Sequence, residues 1–263
     1  MLSRNLDKAR EAFKDKNVQA SIKAHQSRSP KADENHSTAG QYIKSLIYGG
    51  LDGIITTFAV VAGVAGAALS PGVVLILGFA NLIADGLSMA IGDYLSTKAE
   101  MEFQQAERVR ETWEVENYPE GEKHELMELY VNKGISAEDA SAIVNIISKN
   151  KEAWVDIMMV EELGIIQEED SPLKNALVTF IAFITFGFIP VFTYVIARFI
   201  PNFQVDTFTL SCILTSLTLF ALGALKVKVT GKNWFKSGLE MLLVGGLAAG
   251  AAYAVGILLG GIA

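Results

Sequence analysis

Cysteine, histidine and proline are all scarce in this chain. One cysteine occurs among 263 residues, Cys212. That excludes a disulfide framework and a thiolate zinc cluster, and its setting in an apolar run reads as a small buried side chain. Three histidines are present. His25 and His36 have no partner at ligand spacing, and His124 stands alone among carboxylates. The Glu-x-x-His pairs of a di-iron bundle oxidase are therefore missing. Proline is limited to six residues, with none between Gly72 and Tyr118, and Gly92 is the last glycine before Gly121. Little in that interval breaks a helix. A basic surface is lacking too: the formal net charge is −7, and residues 98–170 hold 19 acids against 7 bases. That balance argues against nucleic acid as a partner and favours cations. The first forty-odd residues have no apolar core and carry nine Lys or Arg up to Lys44, so they do not read as a signal peptide.

What is abundant is apolar sequence: 51% of residues are hydrophobic and 19% charged. Five runs, at about Ser45–Leu69, Gly72–Tyr94, Ala176–Ile200, Thr207–Leu225 and Gly238–Ile262, approach the roughly 20 residues a helix needs to cross a bilayer. Ser70, Pro71 and Gly72 link the first two tightly. The fold class expected is an all-α membrane protein, with five transmembrane helices and a helical cytoplasmic insertion between the second and third. Residues 1–43 form an N-terminal segment and linker, 44–97 the first two helices, 98–173 the acidic insertion and 174–263 the last three helices. Leu2, Leu6, Ala9 and Phe13 fall at helical spacing, which fits a short amphipathic helix on the membrane as well as it fits a disordered tail. Ser27–Gly40 reads as a linker. Lysines 226, 228, 232 and 236, the basic N-terminus and the segment before Lys174 share one side; the positive-inside rule makes that side cytoplasmic and the C-terminus external.

Asn81, Asp85, Met89 and Asp93 recur every fourth residue through the second run, forming one stripe on a helix. Acids at membrane depth are expensive, so the stripe should face a bundle interior or a cavity. Beyond Tyr94 the same helix should continue into polar sequence and carry Glu111 and Glu114, with Pro119 and Gly121 ending it. Glu122 and Glu125 follow. Ser136, then Glu138 and Asp139 ahead of Ala140, Ile143, Val144 and Ile147, predicts a capped amphipathic helix. A last helix over about Glu152–Leu163 carries Met158, Met159 and Glu162. Glu111 with Glu114, Glu122 with Glu125, and Met158 with Glu162 are pairs at i,i+3 or i,i+4 spacing. Together they offer oxygens and a sulfur to a cation, and the thioether favours softer transition metals. A solvated Glu-rich face with core methionines fits the same spacing.

Three blocks carry a resemblance. They are Tyr48-Gly-Gly-Leu-Asp52-Gly-Ile-Ile-Thr-Thr-Phe-Ala, then Ala84-Asp-Gly-Leu-Ser-Met89-Ala-Ile-Gly-Asp-Tyr-Leu-Ser-Thr-Lys-Ala-Glu100, then Trp154-Val-Asp-Ile-Met-Met-Val-Glu-Glu-Leu-Gly164. In this order and frame the chain resembles the vacuolar iron transporter family, with its yeast-type calcium-cross-complementer and nodulin-like members, from about Glu34 to the C-terminus. The resemblance implies a transporter rather than an enzyme, with no prosthetic group. It implies a homodimer in membrane lipid with the pore between subunits, and export of Fe2+, in some members Mn2+, from the cytosol in exchange for protons. Zn2+ is a further candidate ligand. Asp52 and Met89 match the family's pathway residues. Glu111, Glu114, Glu122, Glu125, Met158 and Glu162 match its cytoplasmic metal ligands, with Met159 beside them. Two positions depart from plant-type members: Ser45 stands where those carry an aspartate, and Asn81 where they carry a glutamate. Asp85, one turn on, takes the place of a small residue, so the membrane carboxylate has moved along the stripe. Asp52, Asp85 and Met89, with Asn81, are the expected transport pathway. A carrier or channel for another divalent metal, and a membrane-anchored metal buffer or sensor, are the rival readings. A bacterial cytoplasmic membrane comes first as location and a vacuolar membrane second.

Overall fold

The computed structural model describes residues 6–26, 38–166, 171–200, 204–230 and 233–261, and every regular element among them is a helix. In chain order these are α1 (Leu6–Lys14), α2 (Val18–Gln26), α3 (Thr38–Gly66), α4 (Pro71–Asn117), α5 (Pro119–Asn132), α6 (Ala137–Ile147), α7 (Lys151–Glu161), α8 (Pro172–Phe199), α9 (Thr207–Thr230) and α10 (Trp234–Leu259). They divide into two compact units, Met1–Ala90 with Leu177–Ala263, and Ile91–Ala176. The acidic unit is thus somewhat wider than residues 98–173.

Five helices have the length and composition to cross a membrane: Lys44–Gly66 of α3, α4, α8, Thr207–Lys226 of α9, and α10. The all-α architecture with five membrane-length helices, read from the hydrophobic runs, is the one observed. α8 begins at Pro172 and α10 at Trp234, each four residues before the apolar run itself. Asn233 starts α10 because its Oδ1 accepts from the backbone N–H of Phe235 at 2.9 Å and Lys236 at 3.2 Å. Asp206 starts α9 likewise, accepting from Thr209 N at 2.9 Å and Thr209 Oγ1 at 2.6 Å. Those bonds hold its carboxyl below the ordinary aspartate range.

Buried Phe58, Val61, Val64, Val74, Val191 and Tyr194 form one core of the membrane unit, and Ile54, Leu219, Leu222 and Met241 another. Small residues bring the backbones together. A Cβ on Gly53 would lie 2.4 Å from the carbonyl oxygen of Phe183, and one on Gly256 2.1 Å from that of Gly63. Both sites exclude any side chain. α3 continues unbroken through Gly49, Gly50 and Gly53, so these glycines serve close packing and do not mark a break in the helix. Gly246 and Gly250 meet nothing within 4 Å, whereas Gly245 packs on Leu219. α8 carries Pro190 in its interior. The Ser211 hydroxyl of α9 donates to the Pro190 carbonyl at 2.8 Å, a cross-helix bond suited to a low-dielectric setting.

The N-terminal expectation resolves into two short helices. Asn17 caps α2 through Ala20 N at 3.0 Å, Ala12 and Ala24 are buried, and Phe13 is 82% exposed. The linker expected over Ser27–Gly40, with His36, lies outside the described residues up to position 37.

In the second unit α4 does run on as one 47-residue helix. It ends at Asn117, and Pro119 opens the next helix instead of only closing this one. Proline suits that first helical position, where its missing N–H has no partner to lose. Ser136 caps α6 as its spacing predicts, accepting from Asp139 N at 3.1 Å while its hydroxyl donates to Asp139 Oδ2 at 2.7 Å. Asn150 caps α7 through Ala153 N at 3.2 Å. Val115, Leu126, Val144, Trp154, Val155, Met158 and Met159 make the core. Ion pairs join the helices at its rim: Arg108 to Asp156 at 2.5 Å, Lys133 to Glu161, and Lys151 to Glu116. Exposed pairs of this kind add little stability, so the apolar core carries the unit.

Candidate cation sites

The acidic unit brings together five of the carboxylates that spacing selected. Glu111 and Glu114 come from α4, Glu122 and Glu125 from α5, and Glu162 from the residue that closes α7. Glu111, Glu114 and Glu122 place one oxygen each within 4.8 Å of one another, and so do Glu122, Glu125 and Glu162. Glu122 belongs to both triads.

Glu111 is 0% exposed and Glu122 5%. Neither oxygen of Glu111 has a hydrogen-bond donor, nor does Oε2 of Glu122. Two ionised carboxylates cannot bond to each other, but one proton shared between them can make that bond. Burial, the contact with Glu122 and the charges of Glu122 and Glu162 push Glu111 up to about 8, against the opposing effect of Arg110. Glu122 is raised mainly by burial, then by the charges around it, and Glu162 by burial and by Glu125. An unpartnered carboxylate in such a setting is costly, and either a proton or a metal ion would relieve that cost. Oxygen-only triads suit hard divalent ions such as Mn2+.

Met158 and Met159 were selected with the acids as candidate ligands. The structure seats both in the apolar core with Leu126 and Trp154, at 0% and 1% exposure. Spacing did not single out Arg110 or Glu107. Arg110 Nε donates to Glu107 Oε2 at 3.0 Å, Nη1 pairs with Glu114, and Nη2 lies 3.7 Å from Glu111 Oε2.

In the membrane unit Asp52 of α3 and Asn81, Asp85 and Met89 of α4 are all half-buried. Asp52 and Asp85 lie near enough for their charges to act on each other. Asn81 Nδ2 reaches Thr57 Oγ1 at 3.3 Å and Thr56 Oγ1 at 3.5 Å, and Thr56 in turn donates to the Asp52 carbonyl at 2.8 Å. Asn81 therefore ties α4 to α3, while Asp85 supplies the charge. Ser45 is buried. Among the described residues no group of three carboxylate, His or Cys side chains gathers in this unit.

Fold and sites together define a class: a multi-pass helical membrane protein that carries a separate acid-rich helical unit. Comparison with known proteins makes it specific. Residues 43–257 match the VIT family, and the chain belongs to it. It is 44% identical to a "Vacuolar iron transporter" of Toxoplasma gondii over 97% of this chain and 89% of that protein. The corresponding protein of Plasmodium berghei is 37% identical over 95% of each chain. "Vacuolar iron transporter 1" of Arabidopsis thaliana is 36% identical over 84% of this chain and 87% of its own. The family is one of membrane transporters, so the protein is not an enzyme.

Proposed function

We propose that the protein moves ferrous iron, with manganese as a second cargo, out of the cytoplasm in exchange for protons. The relatives' names support iron and a vacuolar membrane, and the bacterial cytoplasmic membrane put first from the sequence finds no support in them. The observation that carries the reading is Glu111, a fully buried carboxylate with no hydrogen-bond donor, set among four other acids.

In this reading the acidic unit faces the cytoplasm and collects the ion, displacing the proton that Glu111 holds. The ion then meets Asp52, Asp85 and Met89, where two oxygens and a thioether favour Fe2+. A carboxylate gives up its proton to a metal and takes it back when the metal leaves, which is the chemistry of exchange. One chain leaves this stripe open: only 22% of the apolar part of α4 is buried, and Ser88 and Gly92, each three residues on from a stripe position and so on its flank, are exposed. A second copy packed on α4 would keep Asp85 from lipid and close the path, so the working unit is a homodimer.

The test is metal flux into acid-loaded liposomes by purified protein, with a pH dye inside. Entry of Fe2+ with loss of internal protons supports exchange. Metal that binds to the protein and never enters the lumen would make it a buffer or sensor instead.

A further inference from the structure

We propose that Arg110 is a tethered competitor of the metal: its guanidinium neutralises the Glu107–Glu111–Glu114 face of α4 until a divalent cation displaces it. This deepens the reading of the acidic unit as a metal site and rests on it. Three nitrogens of one side chain reach three carboxylates of its own helix: Glu107 at 3.0 Å, Glu111 at 3.7 Å, and Glu114. Two of those acids belong to the Glu111–Glu114–Glu122 triad. Glu114 Oε2 is taken up by Arg110, so Glu114 serves a metal fully only when the arginine lets go.

Electrostatics sharpens the conflict. A divalent ion held about 2.0–2.6 Å from these oxygens would sit a few ångströms from a permanent positive charge. Arg110 is 40% exposed, so its way out to solvent is open. Glu107 lies outside both triads and one turn back, which gives the displaced guanidinium a resting partner. A proton on Glu111 can be removed by raising the pH, but the arginine charge cannot. The affinity of the unit is thus set by exchange of one attached cation for a mobile one, and this holds back weakly binding ions. Arg108 provides the contrast. It carries the same charge on the same helix but pairs with Asp156 at 2.5 Å, a residue in neither triad.

The experiment titrates purified full-length protein with Mn2+ and follows tryptophan fluorescence. Two of the three tryptophans, Trp113 and Trp154, lie in the acidic unit. Arg110→Gln should bind Mn2+ about ten-fold more tightly than the parent, the size expected for removing one nearby unit charge in a mostly aqueous setting. Arg110→Lys, which keeps the charge, should stay within about three-fold of the parent. Arg108→Gln, matched in net charge, should also stay close to it. Unchanged or weaker binding by Arg110→Gln, or an equal gain in Arg108→Gln, overturns the proposal and leaves the metal site standing. If the parent shows no saturable response, the metal site falls and the proposal with it.

Discussion

The protein houses the same chemical group, a carboxylate, in two different ways. In the unit Ile91–Ala176, three helices of one chain complete two triads of glutamates and bury Glu111 entirely. In the membrane unit, Asp52 and Asp85 stand half-buried beside Asn81 and Met89, and no third described carboxylate gathers with them. A site completed within one chain depends only on that chain's folding. A site left open along a helix depends on what lies against the helix. The first should therefore withstand dilution in detergent, and the second should follow the state of assembly.

The largest expected effect breaks the comparison on the membrane side. Asp85→Asn or Asp52→Asn should lower metal flux in liposomes by at least about a hundred-fold, because the neutral amide keeps the shape but neither binds nor releases a proton. Mn2+ titration of the acidic unit should be unaffected. Full flux with normal proton movement in Asp85→Asn would reduce that residue to a packing role.

Next in size is the reverse substitution. Replacing Glu111, Glu114, Glu122 and Glu125 by Gln removes four of the five clustered carboxylates. High-affinity Mn2+ binding should fall by roughly a hundred-fold, since affinity for hard cations follows ligand charge. Calorimetry showing the parent's metal uptake in that variant would make the acids a solvated face and no more.

A pH series sharpens the contrast further. Glu111 holds its proton up to about 8 in the folded protein, well above its ordinary value of 4.5. Between those values the folded state binds the proton and the unfolded chain does not. The stabilising contribution is thus fully present below 4.5 and drains away as pH rises through about 8. Metal must expel the same proton, so Mn2+ affinity should climb with pH until about 8 and then level off. A dye in weakly buffered solution should record proton release on Mn2+ addition at neutral pH. Affinity that stays flat across this interval would show that Glu111 is not a ligand.

The smallest effect separates metals. Met89→Leu should weaken Fe2+ transport about three-fold more than Mn2+ transport, because manganese gains less from a thioether. Competition between the two ions in the same liposomes reads the ratio directly.

How much of this was visible in the sequence depended on how local the signal was. The five spans, the unbroken run of α4 and the Ser136 cap rest on composition and short spacing, and they stand in the structure. Pro119 was harder to place, because proline after a helix and proline opening the next one look alike when one residue separates them. The glutamate pairs were legible as pairs, but not their burial. A glutamate is exposed by default, and only the packing of α4, α5 and α7 hides Glu111. Arg110 escaped notice for a related reason. At i,i+4 from Glu114 it reads as an ordinary surface ion pair until Glu107 and buried Glu111 are found at the same guanidinium. The bonds from Asn81 to Thr56 and Thr57 join residues 25 and 24 positions apart, a relation that no periodicity within one helix reveals.

Glu122 has a dual membership whose consequence is one of bookkeeping between ions. A carboxylate that serves both Glu111–Glu114 and Glu125–Glu162 cannot serve each independently. If the two triads hold metal as proposed, the first ion to arrive would draw Glu122 toward its own triad and leave the other with two acids. A second ion would have to share that bridging group and face the repulsion of the first. Filling would then be anticooperative: one tightly held ion, then a loosely held one that is readily surrendered.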